Sequence, residues 1–158
     1  MTGKILTATA LAGARDALDA QGRKLVFTNG CFDLLHVGHV RYLQQARALG
    51  DALVVAVNAD ASVRALKGPT RPVNGQEDRA EVLAALGCVD FVTVFEDERV
   101  TGLVRQVRPH IYAKGGDYTP ETLDQGEAAA LCAVGAEICI LPLVPGRSTT
   151  AIINRWKS

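Results

Sequence analysis

Residues 28–39 read TNGCFDLLHVGH and lie between two patterns of different period. The apolar run at residues 24–27 is typical of a buried strand, and the apolar spacing over residues 40–50 predicts a helix that ends at a glycine. His36 and His39 are three positions apart, so they share one face in helical geometry. The stretch therefore predicts two imidazoles at a turn from a strand into a helix.

This turn is suited to binding a phosphate. The first N–H groups of a helix have no partner inside the helix, and they lie at the positive end of its dipole. Gly38 lacks a side chain that would keep an anion away from the backbone. We therefore expect a polyphosphate to bind at residues 36–39.

Together with its flanking residues, the turn resembles the signature of the HxGH nucleotidyltransferases, a superfamily that includes cytidylyltransferases, pantetheine-phosphate adenylyltransferase and class I aminoacyl-tRNA synthetases. The matching positions are Gly30-x-Phe32-Asp33-x-x-His36-x-Gly38-His39. An isolated H-x-G-H match is short and carries a risk of false positives. The preceding strand, the following helix and the G-x-F-D prefix make this resemblance specific.

Composition limits the alternatives. The chain has 158 residues, of which 48% are hydrophobic, and its 17 basic and 17 acidic residues give a formal net charge of zero. This size predicts one domain, residues 1–158, with an N-terminal helical extension at 1–22 and a core at 23–158. Neutral charge argues against broad electrostatic binding of nucleic acid. No apolar run approaches the roughly 20 residues of a membrane span, so we expect a cytoplasmic protein without membrane contact; a homo-oligomer is left open.

The four cysteines, Cys31, Cys88, Cys132 and Cys139, show neither C-x-x-C pairing nor a histidine at zinc-site spacing. We expect free, buried thiols in a reducing compartment, and no protein metal site.

Five apolar runs alternate with helical patterns. The predicted strands are residues 24–27, 52–57, 91–95, 110–113 and 137–141, and the predicted helices are 14–20, 40–50, 61–66, 76–86, 99–107, 120–132 and 148–156. This alternation predicts an α/β, Rossmann-like, doubly wound five-stranded parallel sheet with helices on both faces. Ligands of such sheets bind beyond the carboxyl ends of the strands.

Two basic stretches follow the second predicted strand. Residues 67–75 form a predicted loop with two cations, Lys67 and Arg71, which on its own could be a solvated surface loop. The resemblance implies that Lys67 bridges the two reacting phosphates and that Arg71 and Asn58 bind substrate. Arg79 lies in the first turns of a predicted helix, where the dipole disfavours a cation, so it needs an anionic partner. That partner is a carboxylate such as Glu77 or, as the resemblance implies, the nucleotide phosphates.

Two further stretches lie at the ends of later strands. Gly115 and Gly116 would let the backbone approach a base or ribose, and Asp117 could accept hydrogen bonds from hydroxyls or merely cap a turn. Three hydroxyls open the last predicted helix, either as an N-cap or as donors to outer phosphates. The resemblance implies nucleotide binding by these residues and by the signature turn: Gly30, Cys31, Phe32, Asp33, Gly38, Ser148, Thr149 and Thr150.

The order of the motifs narrows the resemblance. Residues 27–33, 57–63, 66–68, 71–74, 114–118 and 147–150 are similar to those of D-glycero-β-D-manno-heptose 1-phosphate adenylyltransferases, often fused behind a sugar kinase. The similarity runs over about residues 24–154 and is weakest at 119–135, beside the expected base. The sequence holds no kinase domain, so heptose phosphorylation would need a separate protein.

The resemblance implies transfer of AMP from ATP to a heptose 1-phosphate, giving ADP-heptose and pyrophosphate. His36, His39 and Lys67 would be catalytic, and Mg²⁺ would be held mainly by the nucleotide phosphates. The substrates would be ATP and a sugar 1-phosphate. Two alternatives remain open: a cytidylyltransferase for a small phosphate such as glycerol 3-phosphate, and a nucleotide-binding module without chemistry.

Overall fold

A computed structural model describes residues 3–116, 119, 121–142 and 148–157. Its sheet consists of β1 Leu25–Gly30, β2 Ala52–Asn58, β3 Phe91–Phe95, β4 Ile111–Gly115 and β5 Glu137–Leu141. The strands lie in the order β3-β2-β1-β4-β5, and all neighbours pair in parallel. The predicted doubly wound parallel sheet is thus confirmed.

Helices cover both faces of the sheet, as predicted. They are α1 Ala8–Ala20, α2 Val37–Arg47, α3 Asp60–Lys67, α4 Gln76–Ala84, α5 Thr101–Val107, α6 Gln125–Ala133 and α7 Thr149–Lys157. Residues of α1, α5 and α6 pack with Phe27 and Tyr112 in one buried cluster. Residues of α2 and α4 pack with Val26 and Val55 in a second cluster on the opposite face. Because successive side chains of a strand point to opposite faces of the sheet, the strands contribute residues to a core on each face.

The chain changes direction at its central strand. It runs from β1 through β2 to β3 at one edge, then crosses to β4 and β5 on the other side of β1. The loops after β1 and β4 therefore flank the switch in strand order, where open α/β sheets bind their ligands.

Several element boundaries differ from the predicted ones because of capping. α2 begins at Val37 because the side chain of His36 accepts a hydrogen bond from the backbone N–H of Gly38. α6 begins at Gln125, not at residue 120, because Asp124 caps it through the backbone N–H of Glu127. The predicted loop at residues 67–75 is one residue shorter, since Lys67 ends α3.

The N-terminal segment is integrated into the packed structure. Ile5 forms a parallel bridge with Val92, and the backbone N–H of Leu6 donates to the Val92 carbonyl at 2.8 Å. In α1, Leu11 and Leu18 are buried in the same cluster as Phe27. The predicted helix of the 1–22 extension therefore contributes to the core that the 23–158 segment builds.

The prediction of free thiols is confirmed, but the prediction that they are buried is wrong. Cys132 is exposed, and the other three cysteines are only partly buried. Within the described ranges, no helix has the length and apolarity needed to cross a membrane.

Candidate active site

A cleft of about 700 Å³ opens at the carboxyl ends of the central strands. It brings together most of the residues predicted for the site. Those that line it are Gly30, Cys31, Phe32, Asp33, His36, Gly38, His39, Asn58, Lys67, Arg71, Gly115, Ser148, Thr149 and Thr150.

The two histidines form the first turn of α2. His36 is its N-cap, and His39 lies at the third helical position, with the ring centroids 3.9 Å apart. The Nδ1 atom of His36 accepts the backbone N–H of Gly38 at 3.0 Å, and Nδ1 of His39 accepts the backbone N–H of His36 at 3.3 Å. An accepting Nδ1 carries no proton, so each neutral ring carries its proton on Nε2. Both imidazoles are therefore set as Nε2–H donors.

Burial controls the charge of His39. Burial, and then the neighbouring His36 ring, lower the pKa of His39 from 6.5 to about 4. In the ligand-free protein this ring is consequently a neutral hydrogen-bond donor at physiological pH. A polyphosphate at the helix start would add negative charge beside it and favour its protonated form.

The turn before α2 is tightly constrained. A Cβ at Gly30 would lie 2.9 Å from Cε2 of Phe32, so a larger residue would displace that ring. Phe32 has a φ of 48°, in the left-handed region, and its ring packs against His39 with a centroid separation of 5.3 Å. These contacts hold the histidine turn in place and make the small residue at position 30 necessary.

Asp33 anchors the segment between α3 and α4. Its carboxylate accepts hydrogen bonds from the backbone N–H groups of Val73 and Asn74 at 2.9 Å and from Nε of Arg71 at 2.6 Å. Burial opposes ionisation of Asp33, but these hydrogen bonds outweigh it, and the pKa of the carboxyl is lowered. In the structure Asp33 joins two loops of the cleft, while its predicted contact with the nucleotide stays a prediction.

Arg79 has a buried position outside the cleft. It is 2% exposed, and its guanidinium donates to the carbonyls of Cys31, Asn58 and Asn74 at 2.7–2.9 Å. Nη2 also pairs with the Asp60 carboxylate at 2.8 Å. A carboxylate is thus the anionic partner in the structure, as one predicted alternative held, and Arg79 joins the ends of β1 and β2 from below the cleft.

The two predicted substrate cations differ in their surroundings. Lys67 is exposed at the end of α3, and it makes no hydrogen bond or ion pair with the described residues. Arg71 is held by Asp33, with its side chain 16% exposed, yet it still lines the cleft. Lys67 is therefore the more mobile charge and Arg71 the more rigid one.

Asn58 and Cys31 line the floor of the cleft. Asn58 is buried, and its amide donates to the hydroxyl of Ser62 at 3.2 Å. The Cys31 thiol contacts the Asn58 amide oxygen at 4.0 Å, and burial raises its pKa. The thiol is therefore protonated near neutral pH and is not a nucleophile.

The three hydroxyl-bearing residues at the start of α7 differ in their hydrogen-bond partners. The Ser148 hydroxyl accepts the backbone N–H of Ala151 at 3.0 Å, which is the capping alternative. The Thr149 hydroxyl donates to the Leu34 carbonyl at 3.1 Å and ties α7 to the histidine turn. Thr150 is exposed at the cleft. Phosphate contacts by these three residues stay a prediction.

Two glycines, Gly115 and Gly116, follow each other at the end of β4. Gly115 lines the cleft, and Gly116 has a φ of 126°, a conformation that L side chains rarely adopt. The Gly116 N–H donates to the Leu141 carbonyl at 3.0 Å, so this glycine serves the turn. The predicted contact of Asp117 with the nucleotide lies outside the described residues.

Several cleft residues were missed by sequence reasoning: Tyr42, Leu66, Glu98, Arg99, Lys114 and Glu127. Glu98 belongs to an acidic run that reads as solvated surface, and Glu127 has the spacing of an ordinary helix-start carboxylate after Asp124. Lys114 belongs to the 114–118 stretch of the resemblance, but it was not assigned to the site. Among the described residues, no group of three or more His, Cys, Asp or Glu side chains is placed to hold a metal ion.

Two imidazoles at the start of a helix and two cations, Lys67 and Arg71, line one cleft at the switch in strand order, an arrangement typical of a nucleotidyltransferase site. Residues 27–155 match the family model described as cytidylyltransferase-like, and the chain belongs to this family. The resemblance predicted from the motifs is therefore confirmed.

Relatives with established names are similar over nearly the whole chain. The bifunctional protein HldE of Pelobacter propionicus is 51% identical over 152 residues, and that of Geobacter sulfurreducens is 49% identical over the same length. Each match covers 96% of this chain but only 31% of the relative. The chain thus spans less than a third of these relatives.

Solved structures agree with the fold. The lipopolysaccharide core biosynthesis protein from Thermoplasma volcanium is 28% identical, with a TM-score of 0.64 over 78% of this chain and 98% of its own. Pantoate-β-alanine ligase from Francisella tularensis has a TM-score of 0.58 at 14% identity, over 92% of this chain and 68% of its own. The second similarity shows a shared fold alone.

Proposed function

We propose that the protein transfers AMP from ATP to D-glycero-β-D-manno-heptose 1-phosphate, releasing pyrophosphate and forming ADP-heptose. The order of motifs and the similarity to HldE support this choice of substrates. The name of the Thermoplasma relative, a lipopolysaccharide core biosynthesis protein, agrees with a sugar nucleotide as product. In this proposal the protein acts in the cytoplasm on small molecules.

The observation that carries the proposal is the pair of Nε2–H donors at the start of α2. The ring centroids of the two imidazoles are 3.9 Å apart, and because each Nδ1 accepts a backbone N–H, the two Nε2–H groups are left to donate side by side. Such a pair suits the oxygens of one phosphate, and the N-terminus of α2 adds its dipole. His36 and His39 are thereby assigned to the α-phosphate of ATP.

The chemistry needs little from the protein beyond positioning and charge. An oxygen of the sugar 1-phosphate attacks the α-phosphorus in line, and pyrophosphate leaves on the opposite side. Phosphate oxygens are nucleophilic near neutral pH, so no general base is required. Catalysis then comes from alignment of the two substrates and from stabilisation of the developing charge.

In this proposal the remaining residues of the cleft bind different parts of the substrates. Lys67 and Arg71 neutralise charge on the two reacting phosphates, and the start of α7 holds the departing pyrophosphate. Mg²⁺, when bound with ATP, would neutralise the phosphates further, with phosphate and water oxygens as its ligands. Asn58 lies on the β2 side with Lys67, where the acceptor would bind.

A pyrophosphate-release assay tests the proposal. The protein is incubated with ATP or CTP and a panel of acceptors that includes heptose 1-phosphate, mannose 1-phosphate and glycerol 3-phosphate. We expect the highest kcat/KM with ATP and heptose 1-phosphate, and a product of the mass of ADP-heptose. The double variant His36→Ala/His39→Ala serves as the control without chemistry.

Other outcomes would select the alternatives. A preference for CTP and glycerol 3-phosphate would replace the proposed substrates while leaving nucleotidyl transfer intact. Binding of ATP without pyrophosphate release from any acceptor would indicate a non-catalytic module.

A further inference from the structure

A buried carboxylate beside the cleft has no assigned role in the mechanism above. Glu127 is the third residue of α6, and it is 6% exposed. It lines the cleft together with Lys114 and Gly115 at the end of β4. Its position therefore places a carboxylate at the wall that a ligand in the cleft would touch.

The carboxylate of Glu127 is incompletely satisfied. Its Oε2 atom is buried and has no hydrogen-bond partner among the residues that the structure describes. The nearest cation is the Lys114 ammonium, whose Nζ lies 3.6 Å from Oε2, close enough for an ion pair but too far for a hydrogen bond. A buried charge is costly unless hydrogen bonds as well as a counter-ion compensate it. In the ligand-free protein Oε2 of Glu127 thus has a counter-ion but accepts no hydrogen bond from the described residues.

Helix capping does not explain this side chain. The cap of α6 is formed by the Asp124 carboxylate, which accepts the backbone N–H of Glu127 at 3.1 Å. Any residue at position 127 other than proline could supply that N–H. Among the described residues, the Glu127 carboxylate accepts no hydrogen bond from a backbone N–H at the helix start. The carboxylate itself is therefore available for a different role.

We propose that Glu127 is a specificity residue that accepts hydrogen bonds from neighbouring hydroxyl groups of a sugar bound in the cleft, with Lys114 as its counter-ion. An ionised carboxylate is an acceptor with two oxygens, and a vicinal diol offers two donors at matching spacing. Hydrogen bonds to a charged acceptor discriminate strongly against analogues that lack the hydroxyl. The inference rests on the proposed function, which brings two sugars into the cleft, the ribose of ATP and the heptose.

The position of Glu127 indicates which of the two sugars, the ribose of ATP or the heptose, it would bind. Lys114 and Gly115 follow β4, whereas Asn58 and Lys67 follow β2, and the histidine turn after β1 lies between them. With the α-phosphate at the histidines, one sugar lies toward each side. Glu127 belongs to the β4 side, where the proposed function puts the nucleotide.

Equilibrium binding tests the inference without relying on turnover. Dissociation constants are measured by calorimetry for Mg-ATP, Mg-2′-deoxy-ATP and Mg-3′-deoxy-ATP, and for heptose 1-phosphate and mannose 1-phosphate, which lacks the C7 hydroxymethyl group. In the wild type we expect loss of the recognised hydroxyl to weaken binding about tenfold to a hundredfold. In Glu127→Ala that ratio should fall to about one, with Glu127→Gln between the two. Glu121→Gln, an exposed neighbour outside the cleft, is the matched control and should keep the wild-type ratio.

Each outcome has a defined meaning. If Glu127→Ala no longer distinguishes ATP from its deoxy analogues, the ribose is the sugar that Glu127 binds. If it no longer distinguishes heptose 1-phosphate from mannose 1-phosphate, the heptose is. A purely structural role would weaken all ligands equally and leave both ratios unchanged, which overturns the inference, as does failure of the wild type to discriminate or to bind. If the wild type binds ATP but releases no pyrophosphate, the proposed function fails while the ribose arm still tests Glu127.

Discussion

At the residue scale, the proposed function assigns stabilisation of the transition-state charge to the imidazoles of His36 and His39. We expect His36→Ala or His39→Ala to lower kcat by about 10² to 10³, with a modest loss of ATP affinity, because each removes one donor to the transition-state charge. Pyrophosphate release under saturating substrates measures this. His110→Gln is the control, since this third histidine contacts Asp19 and the backbone of Leu25, away from the cleft. Wild-type turnover in either alanine variant would contradict the assignment.

The charge state of His39 makes a second prediction at this scale. In the ligand-free protein, an NMR titration of its imidazole should give a pKa of about 4, and Mg-ATP should raise it. Between pH 6.5 and about 4 the unfolded chain binds a proton that folded His39 excludes, so His39 makes stability fall as the pH is lowered through this window. Assignment relies on the signal lost in His39→Ala. A midpoint near 6.5 without ligand would refute the effect of burial.

The positions of residues could be predicted from the sequence where a local motif fixes them, and not where tertiary packing does. The G-x-F-D-x-x-H-x-G-H signature located the histidine turn because its spacing is local. Arg79 could not be settled, because three of its partners are backbone carbonyls from different loops. Glu127 was missed because its burial depends on the approach of α6 to β4, which leaves no trace in the local sequence.

At the element scale, the end of α3 presents Lys67 to the cleft. We expect Lys67→Ala to lower kcat about 10²-fold while changing the Kd for ATP much less, because this cation contacts the phosphates fully only when both substrates are present. Separate measurements of kcat and of equilibrium ATP binding test this. Arg64→Ala, an exposed cation about one turn earlier on the same helix and outside the cleft, is the matched control. A variant that loses ATP affinity and kcat equally would place Lys67 in ground-state binding.

Strands could be predicted more accurately than helix starts. β3 and β5 begin and end at the predicted residues, 91–95 and 137–141, because runs rich in apolar and β-branched residues mark the strands locally. α2 and α6 begin at other residues than predicted, because His36 and Asp124 cap them. Which side chain caps a helix depends on the three-dimensional path of the chain before it. The turn chemistry at residues 71–74 was invisible for the same reason, since its anchor, Asp33, lies about 40 residues earlier.

At the scale of the whole molecule, the N-terminal segment closes one face of the sheet. Leu11 is fully buried against the core of that face, so Leu11→Ala should lower the free energy of unfolding by about 2–5 kcal/mol. Urea denaturation measures the change. Val82→Ala, at an exposed position of α4, should change it by about 0.5 kcal/mol or less. If Leu11→Ala changed the free energy of unfolding as little as Val82→Ala, α1 would not contribute to the stability of the core.

The overall architecture could be predicted because alternation of strand and helix patterns is a property of the whole sequence. The integration of α1 could not, because an amphipathic pattern shows that a helix has an apolar face without showing what covers it. The contribution of residues 4–6 to the edge at β3 was likewise hidden, since it rests on backbone hydrogen bonds with Val92.

The hydrogen bonds accepted by the two Nδ1 atoms of the histidine turn restrict proton transfer by these rings. A histidine relays a proton by taking it up on one nitrogen and releasing it from the other, and here both second nitrogens are occupied by backbone N–H groups. Neither ring can pass a proton through, so the reaction should advance without proton transfer in its slowest step. Turnover in D₂O should accordingly match turnover in H₂O at equivalent positions of the pH profile, and a large solvent isotope effect on kcat would show that a proton moves after all.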